Sequence, residues 1–199
     1  MIDVYEKCPV LENSYFLFRL VEENDAKDLI EVYSDKNSLP FFNSDNCNGD
    51  NFYYPTAERM LEAIRFWLWE YDNRVYVRFA IIDKTSNKAV GTVELFNRKA
   101  ADYFNNCGLM RLDVRSDLEK HTSLCEIMSI VLEPAYQLFG CSMIATKAAI
   151  YAVERVRALE EMGFQKVKER LIGKYDTYGD YWIIKNNDSG HCDRRNNEK

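Results

Sequence analysis

Arg157-Ala-Leu-Glu-Glu-Met-Gly-Phe164 joins the end of a helix to the start of a strand. Ala152, Val156, Leu159 and Met162 recur at helical spacing. Gly163 stops the helix, because glycine takes the left-handed turn that ends one without steric cost, and 164–169 reads as a strand. Upstream, Cys141-Ser-Met-Ile-Ala-Thr146 is another short strand. A strand, a helix and a returning strand predict a crossover back half.

Moving outward, Ser123-Leu-Cys-Glu126 has the S-x-x-E form of a capping box. Ile127, Ile130 and Val131 carry on an apolar helical face, which Pro134 is expected to kink or end early, with Gly140 as the natural stop. Before that helix lie three strand-like runs, 75–82, 89–96 and 108–115, the first two joined across Ser86-Asn87. They predict an antiparallel front half. A strand at 16–21 opens the chain. A helix then carries Ala26, Leu29, Ile30 and Tyr33 on one face, with Asn24 at its start. Residues 34–55, rich in Asn, Asp and aromatics, read as a long loop or a broken helix, and loops this long are often functional. Thr56 caps a second helix faced by Leu61, Ile64, Trp67, Leu68 and Tyr71. The order is strand, two helices, three strands, helix, strand, helix, two strands, a mixed α/β chain. One domain is expected over 1–185, with a polar, disordered tail at 186–199.

The 199 residues are enough to bury a core unaided. Charged residues at 29% and hydrophobic ones at 47% fit a globular chain rather than a disordered one. The net charge of −6 weighs against a protein that coats nucleic acid. Runs such as Phe79-Ala-Ile-Ile82 fall far short of the roughly 20 apolar residues that span a bilayer, and the N-terminus has no apolar signal region. No nucleic-acid or membrane partner is expected, and a cytoplasmic location is. The six cysteines form no C-x-x-C, and only two histidines are present, His121 and His191. No metal site is expected from these spacings.

The 157–164 ending, with Phe18-Arg-Leu-Val-Glu-Glu-Asn-Asp-Ala26 and Val90-Gly-Thr-Val-Glu94, resembles the GNAT superfamily of N-acetyltransferases, in particular its RimJ/RimL-like branch. The resemblance runs over roughly residues 15–185. It implies a mixed central sheet of about six to seven strands flanked by about four helices. It implies acetyl-CoA as the donor, bound where the strands at 108–115 and 141–146 splay apart. The acceptor would be a primary amine, on a small molecule or a protein N-terminus, attacking the thioester directly. Dimers are common in this family, so the resemblance leaves a homodimer open. It assigns the pantetheine to the backbone of Leu112 and Val114, and the pyrophosphate to Lys120, His121, Thr122 and Ser123, where a helix start offers free N–H groups.

This chain departs from the family pattern in two places. The pyrophosphate loop R/Q-x-x-G-x-G/A corresponds to Leu118-Glu-Lys-His-Thr-Ser123, with no glycine between Gly108 and Gly140. In the last helix, the branch's Asn and Ser positions hold Ala152 and Arg155, and the tyrosine acid of other branches corresponds to Leu159. Glu94, a charge in an apolar run, is the candidate base, with Asp113 second and Tyr151 as the candidate acid. Against these roles stands simple polar-out alternation of a half-solvated sheet. The loop aromatics Phe41, Phe42, Tyr53 and Tyr54 and the helical Trp67 and Trp69 lie where the family shapes its acceptor site. Trp67 is expected in the core, and Asp45 and Asp50 as solvated loop charges. The alternative function is a GNAT-fold binding or regulatory module that has lost its use of acetyl-CoA.

Overall fold

The computed structural model describes residues 3–186. The tail expected to be disordered lies outside the described residues, apart from Asn186. The elements are β1 (Leu11–Glu12), β2 (Phe16–Leu20), α1 (Ala26–Tyr33), α2 (Ala57–Asp72), β3 (Val77–Asp83), β4 (Lys88–Arg98), β5 (Cys107–Val114), α3 (His121–Phe139), β6 (Met143–Lys147), α4 (Val153–Glu161), β7 (Gln165–Lys166), β8 (Leu171–Ile172), β9 (Thr177–Tyr178) and β10 (Tyr181–Lys185). Eight strands form one sheet in the order β1-β2-β3-β4-β5-β6-β10-β7, and β8 pairs with β9 separately. Neighbours run antiparallel except β5 and β6, which are parallel because α3 carries the chain back across the sheet between them.

Side chains alternate between the two faces of the central strands. Phe79, Ile81, Val93, Leu95, Met110, Leu112 and Val114 pack with α3 and α4. Ala80, Ile82 and Ala89 pack with α1 and α2, where Trp67 is in the core as expected. The alternate positions Arg78, Thr92, Glu94, Arg111 and Asp113 share that second face. All five are buried, so polar-out alternation does not explain them.

Local expectations meet mixed outcomes. Thr56 does cap α2, its side chain accepting from the Arg59 N–H at 3.2 Å. Glu22 and Asp25, rather than Asn24, make the reciprocal cap before α1. The Ser123/Glu126 box does not form. The helix already begins at His121, and the Glu126 carboxylate accepts from Asn13 Nδ2 at 3.0 Å. α3 also runs through Pro134 to a left-handed Gly140 (φ 58°). Ala135 and Phe139, buried on the sheet, hold its last turns across the missing N–H. The strand expected at 164–169 is only two residues long. β1, β8 and β9, equally short, are too brief for periodicity to reveal. Among the described residues no helix is long and apolar enough to cross a membrane.

Candidate functional site

β5 and β6 pair only from Cys107–Met110 against Met143–Thr146. Past Met110 the strands part, and the gap lies beside Arg111, Leu112 and the start of α3. What stands in this gap decides what it can bind.

Arg155, from the first turns of α4, reaches into it. The residue is 3% exposed. Its Nη1 donates to the carbonyls of Leu112 (3.0 Å) and Phe41 (2.9 Å). Its Nε and Nη2 make a two-pronged bond to Glu119, both at 2.7 Å. The start of α3 is engaged in a similar way: the His121 N–H donates to the Glu154 carboxylate at 2.9 Å. A helix N-terminus favours an anion because its N–H groups are free and its dipole is positive there, and here the anion is the protein's own. Lys120 and Thr122 are exposed beside it. Tyr151 is exposed, and its hydroxyl donates to Pro40 O at 2.8 Å, tying the 39–41 turn over the same gap. The backbone groups expected to meet pantetheine and pyrophosphate are of the right kind, but Leu112 O and His121 N–H already have partners within the chain.

The second feature is a row of charges across β3, β4 and β5. Register sets Arg78 opposite Glu94, and Glu94 opposite Arg111. Glu94 accepts from Arg78 through one oxygen and from Arg111 through the other, the latter at 2.5 Å. Arg78 also donates to Thr92 (3.1 Å) and Asp113 (3.2 Å), and the Tyr33 hydroxyl closes the group on Asp113 at 3.0 Å. Arg78 lies 4.2 Å over the Trp67 ring. Two buried cations meet two buried carboxylates, so the row is neutral; an unmatched charge at this depth would cost several kcal/mol. Burial pushes the Asp113 carboxyl above its usual value, against the pull of Arg78 and Tyr33. Burial, reinforced by the charge of Asp113, pushes the Tyr33 phenol well up. Arg78 Nε, Arg111 Nε and Asp113 Oδ1 are buried without a hydrogen-bond partner.

The row continues into the α1–α2 loop. Arg111 donates to Asp45 O at 2.8 Å. Asp45 is not a solvated loop charge: it is buried, bonded to Lys147 Nζ at 2.7 Å and to the Tyr181 hydroxyl at 3.2 Å. These bonds fix the loop to β5, β6 and β10. The loop is wound tightly enough to hold Asn46, Asn48 and Phe52 at positive φ. Asparagine tolerates this backbone; a phenylalanine there is strained.

Sequence reasoning singled out Glu94 and Asp113, and they share one buried network. It offered Tyr151 as an acid facing the cleft, and in the structure that side chain is exposed and bonded to Pro40 O. It missed Arg78 and Arg111, although each is a cation set among apolar strand residues. It also gave no sign that His121 Nε2 lies 2.7 Å from Glu161 Oε2 and 3.8 Å from Cys125 Sγ, because Glu161 comes from a different helix. That group ties α3 to α4.

No family model matches the sequence, and no curated protein matches it. Solved structures do. A ribosomal-protein-S5-alanine acetyltransferase from Vibrio fischeri superposes with a TM-score of 0.66 at 15% identity, over 90% of this chain and 98% of that one. A GNAT-family acetyltransferase from Bacillus anthracis gives 0.64 at 14% identity, over 89% and 98%. FdhC, a nucleotide-linked sugar GNAT in its apo form, gives 0.61 at 19% identity, over 89% and 90%. At these identities the likeness is one of fold, and the fold of this chain is that of the GNAT acetyltransferases.

Proposed function

We propose that this protein is an acetyl-CoA-dependent N-acetyltransferase acting on a primary amine, a small molecule or a protein N-terminus. The observation that carries the reading is the gap between β5 and β6 beyond Met110, with the start of α3 beside it. In this reading, carbonyl and N–H groups of Leu112 and Val114 hold the pantetheine. The helix start at 120–123 holds the pyrophosphate once Glu154 withdraws. The amine attacks the thioester carbonyl; the C–N bond forms, the C–S bond breaks, and the amine loses a proton. Glu94, with Asp113 behind it, is the carboxylate pair that orients the acceptor side. For Glu94 to take the proton, one of its two guanidinium bonds must open. Tyr151, beside the 39–41 turn, is the group that returns a proton to the leaving thiolate. The five described cysteines are free, in keeping with a reducing, cytoplasmic setting.

One observation favours a second reading, a GNAT-fold binding module that does not use acetyl-CoA: Arg155 and Glu154 already bond the groups the donor would need. Titration calorimetry with acetyl-CoA separates the two. Saturable binding on the order of micromolar, weakened by Lys120→Glu, supports the transferase. No binding at millimolar acetyl-CoA leaves the binding module.

A further inference from the structure

A pocket of about 270 Å³ opens between α2, the 46–52 loop and the second face of the sheet. Its floor is Arg78, Glu94 and Arg111, of which Arg111 is the first β5 residue past the pairing with β6. Its walls are aromatic: Phe52, Tyr54, Phe66, Trp67 and Tyr76. The strained Phe52 is one of them, which the loop maintains at a cost to its own backbone. Phe66 is 53% exposed at the rim and stacks on the exposed Trp69 with ring centres 6.0 Å apart.

Taken with Asp113 behind the floor, the charges of this pocket pair off except at one point. Arg59 is matched by Asp50 at 3.2 Å. Arg78 and Arg111 are matched by Glu94 and, behind it, Asp113. Glu70, half-buried on α2, has no counter-charge among the described residues. Burial, with the nearby charge of Glu94, pushes its carboxyl above the usual value. An uncompensated carboxylate in a partly desolvated aromatic recess attracts a single positive charge. The faces of Trp67 and Tyr54 are already covered by Arg78 and Arg59. Arg78 also lies 5.8 Å from the Tyr76 ring centre, farther than from Trp67, so the exposed Phe66 and the rest of the Tyr76 ring are left for an apolar body rather than for a second cation. A ligand carboxylate would find both floor guanidiniums already neutralised.

We infer that this pocket binds a primary arylalkylamine, its ammonium on Glu70 and its ring against Phe66 and Tyr76. The inference names the acceptor class of the transferase reading, and depends on that reading only for what becomes of the bound amine.

The test is calorimetry on the full chain without acetyl-CoA, using phenethylamine, phenethyl alcohol, 3-phenylpropionate and spermidine. Glu70 and Phe66 are partly exposed, so Glu70→Gln and Phe66→Ala should both fold; circular dichroism checks this. The expected result is saturable phenethylamine binding, weakened on the order of tenfold by Glu70→Gln and measurably by Phe66→Ala. Phenethyl alcohol should bind more weakly and equally to wild type and Glu70→Gln. Any of three results overturns the inference: no saturable phenethylamine binding, equal affinity in Glu70→Gln, or tighter binding of 3-phenylpropionate or spermidine. Because the donor is absent, failure here is distinct from failure of the acetyl-CoA titration.

Discussion

The Arg155 guanidinium donates to the carbonyl of Leu112 at 3.0 Å, in the gap where β5 and β6 part and where the proposed function sets the donor. Holding Arg155 there depends on Glu119, itself almost fully buried. Removing the arginine alone would leave that carboxylate without a partner, a loss of about 3 to 5 kcal/mol. Arg155→Ser combined with Glu119→Gln avoids the stranded charge and frees Leu112 O. The double variant should bind acetyl-CoA on the order of tenfold or more tightly than wild type, read by calorimetry. Weaker binding in the double variant would make Arg155 a ligand for the donor rather than a competitor.

Glu154 plays the corresponding part at the α3 N-terminus. Replacing it with Gln removes a negative charge from the positive end of the helix dipole. This should lower stability by about 1 kcal/mol in urea unfolding. The same change weakens the hold on the His121 N–H and removes the competing negative charge, so affinity for inorganic pyrophosphate should rise. A loss of stability with no gain in pyrophosphate binding would show that the helix start is only structurally capped.

The fold was legible in the sequence where periodicity was long. The alternation of 75–82, 89–96 and 108–115 placed β3, β4 and β5, and the spacing to Met162 with Gly163 placed α4. Two-residue strands such as β7 carry no period to read. The capping box at Ser123 failed because a local pattern cannot foresee that Glu126 is drawn away by Asn13, 113 residues earlier in the chain. The candidate site divides in the same way. Glu94 and Asp113 stood out as charges in apolar strands. Arg155 stood out only as a departure at the family's Ser position and Glu154 not at all, and only the approach of α4 to β5 and α3 gives them partners.

The Arg78–Glu94–Arg111 row should act as one unit. Glu94→Gln leaves two buried guanidinium groups facing Asp113 alone, so a loss of about 3 to 5 kcal/mol is expected. Tyr33→Phe removes only a neutral hydroxyl that donates to Asp113 and is hydrogen-bonded to Thr92, and should cost about 1 to 3 kcal/mol. Denaturant unfolding of both variants gives the comparison. A Glu94→Gln cost no larger than that of Tyr33→Phe would mean that the row is not held by its charge.

Asp102 offers a pH-dependent test at the edge of the sheet. Its carboxylate pairs with Arg98 at 2.8 Å and accepts from the N–H groups of Ile172 (2.9 Å) and Phe104 (3.0 Å). Arg98 also donates to Ile172 O at 2.7 Å, so the pair pins the β8–β9 hairpin. Burial works to raise the Asp102 carboxyl. The Arg98 guanidinium and the two N–H groups outweigh burial and hold it below the ordinary value of 3.8. A carboxylate lowered on folding adds stability above its unfolded pKa, and that stability is lost as pH falls through the folded value. Asp102→Asn should therefore cost about 2 kcal/mol at pH 7. The difference from wild type should shrink steadily once the pH drops below 3.8. Urea unfolding of both proteins from pH 7 down to pH 3 measures it. A difference that stays constant across that range would assign the contribution of Asp102 to shape rather than charge.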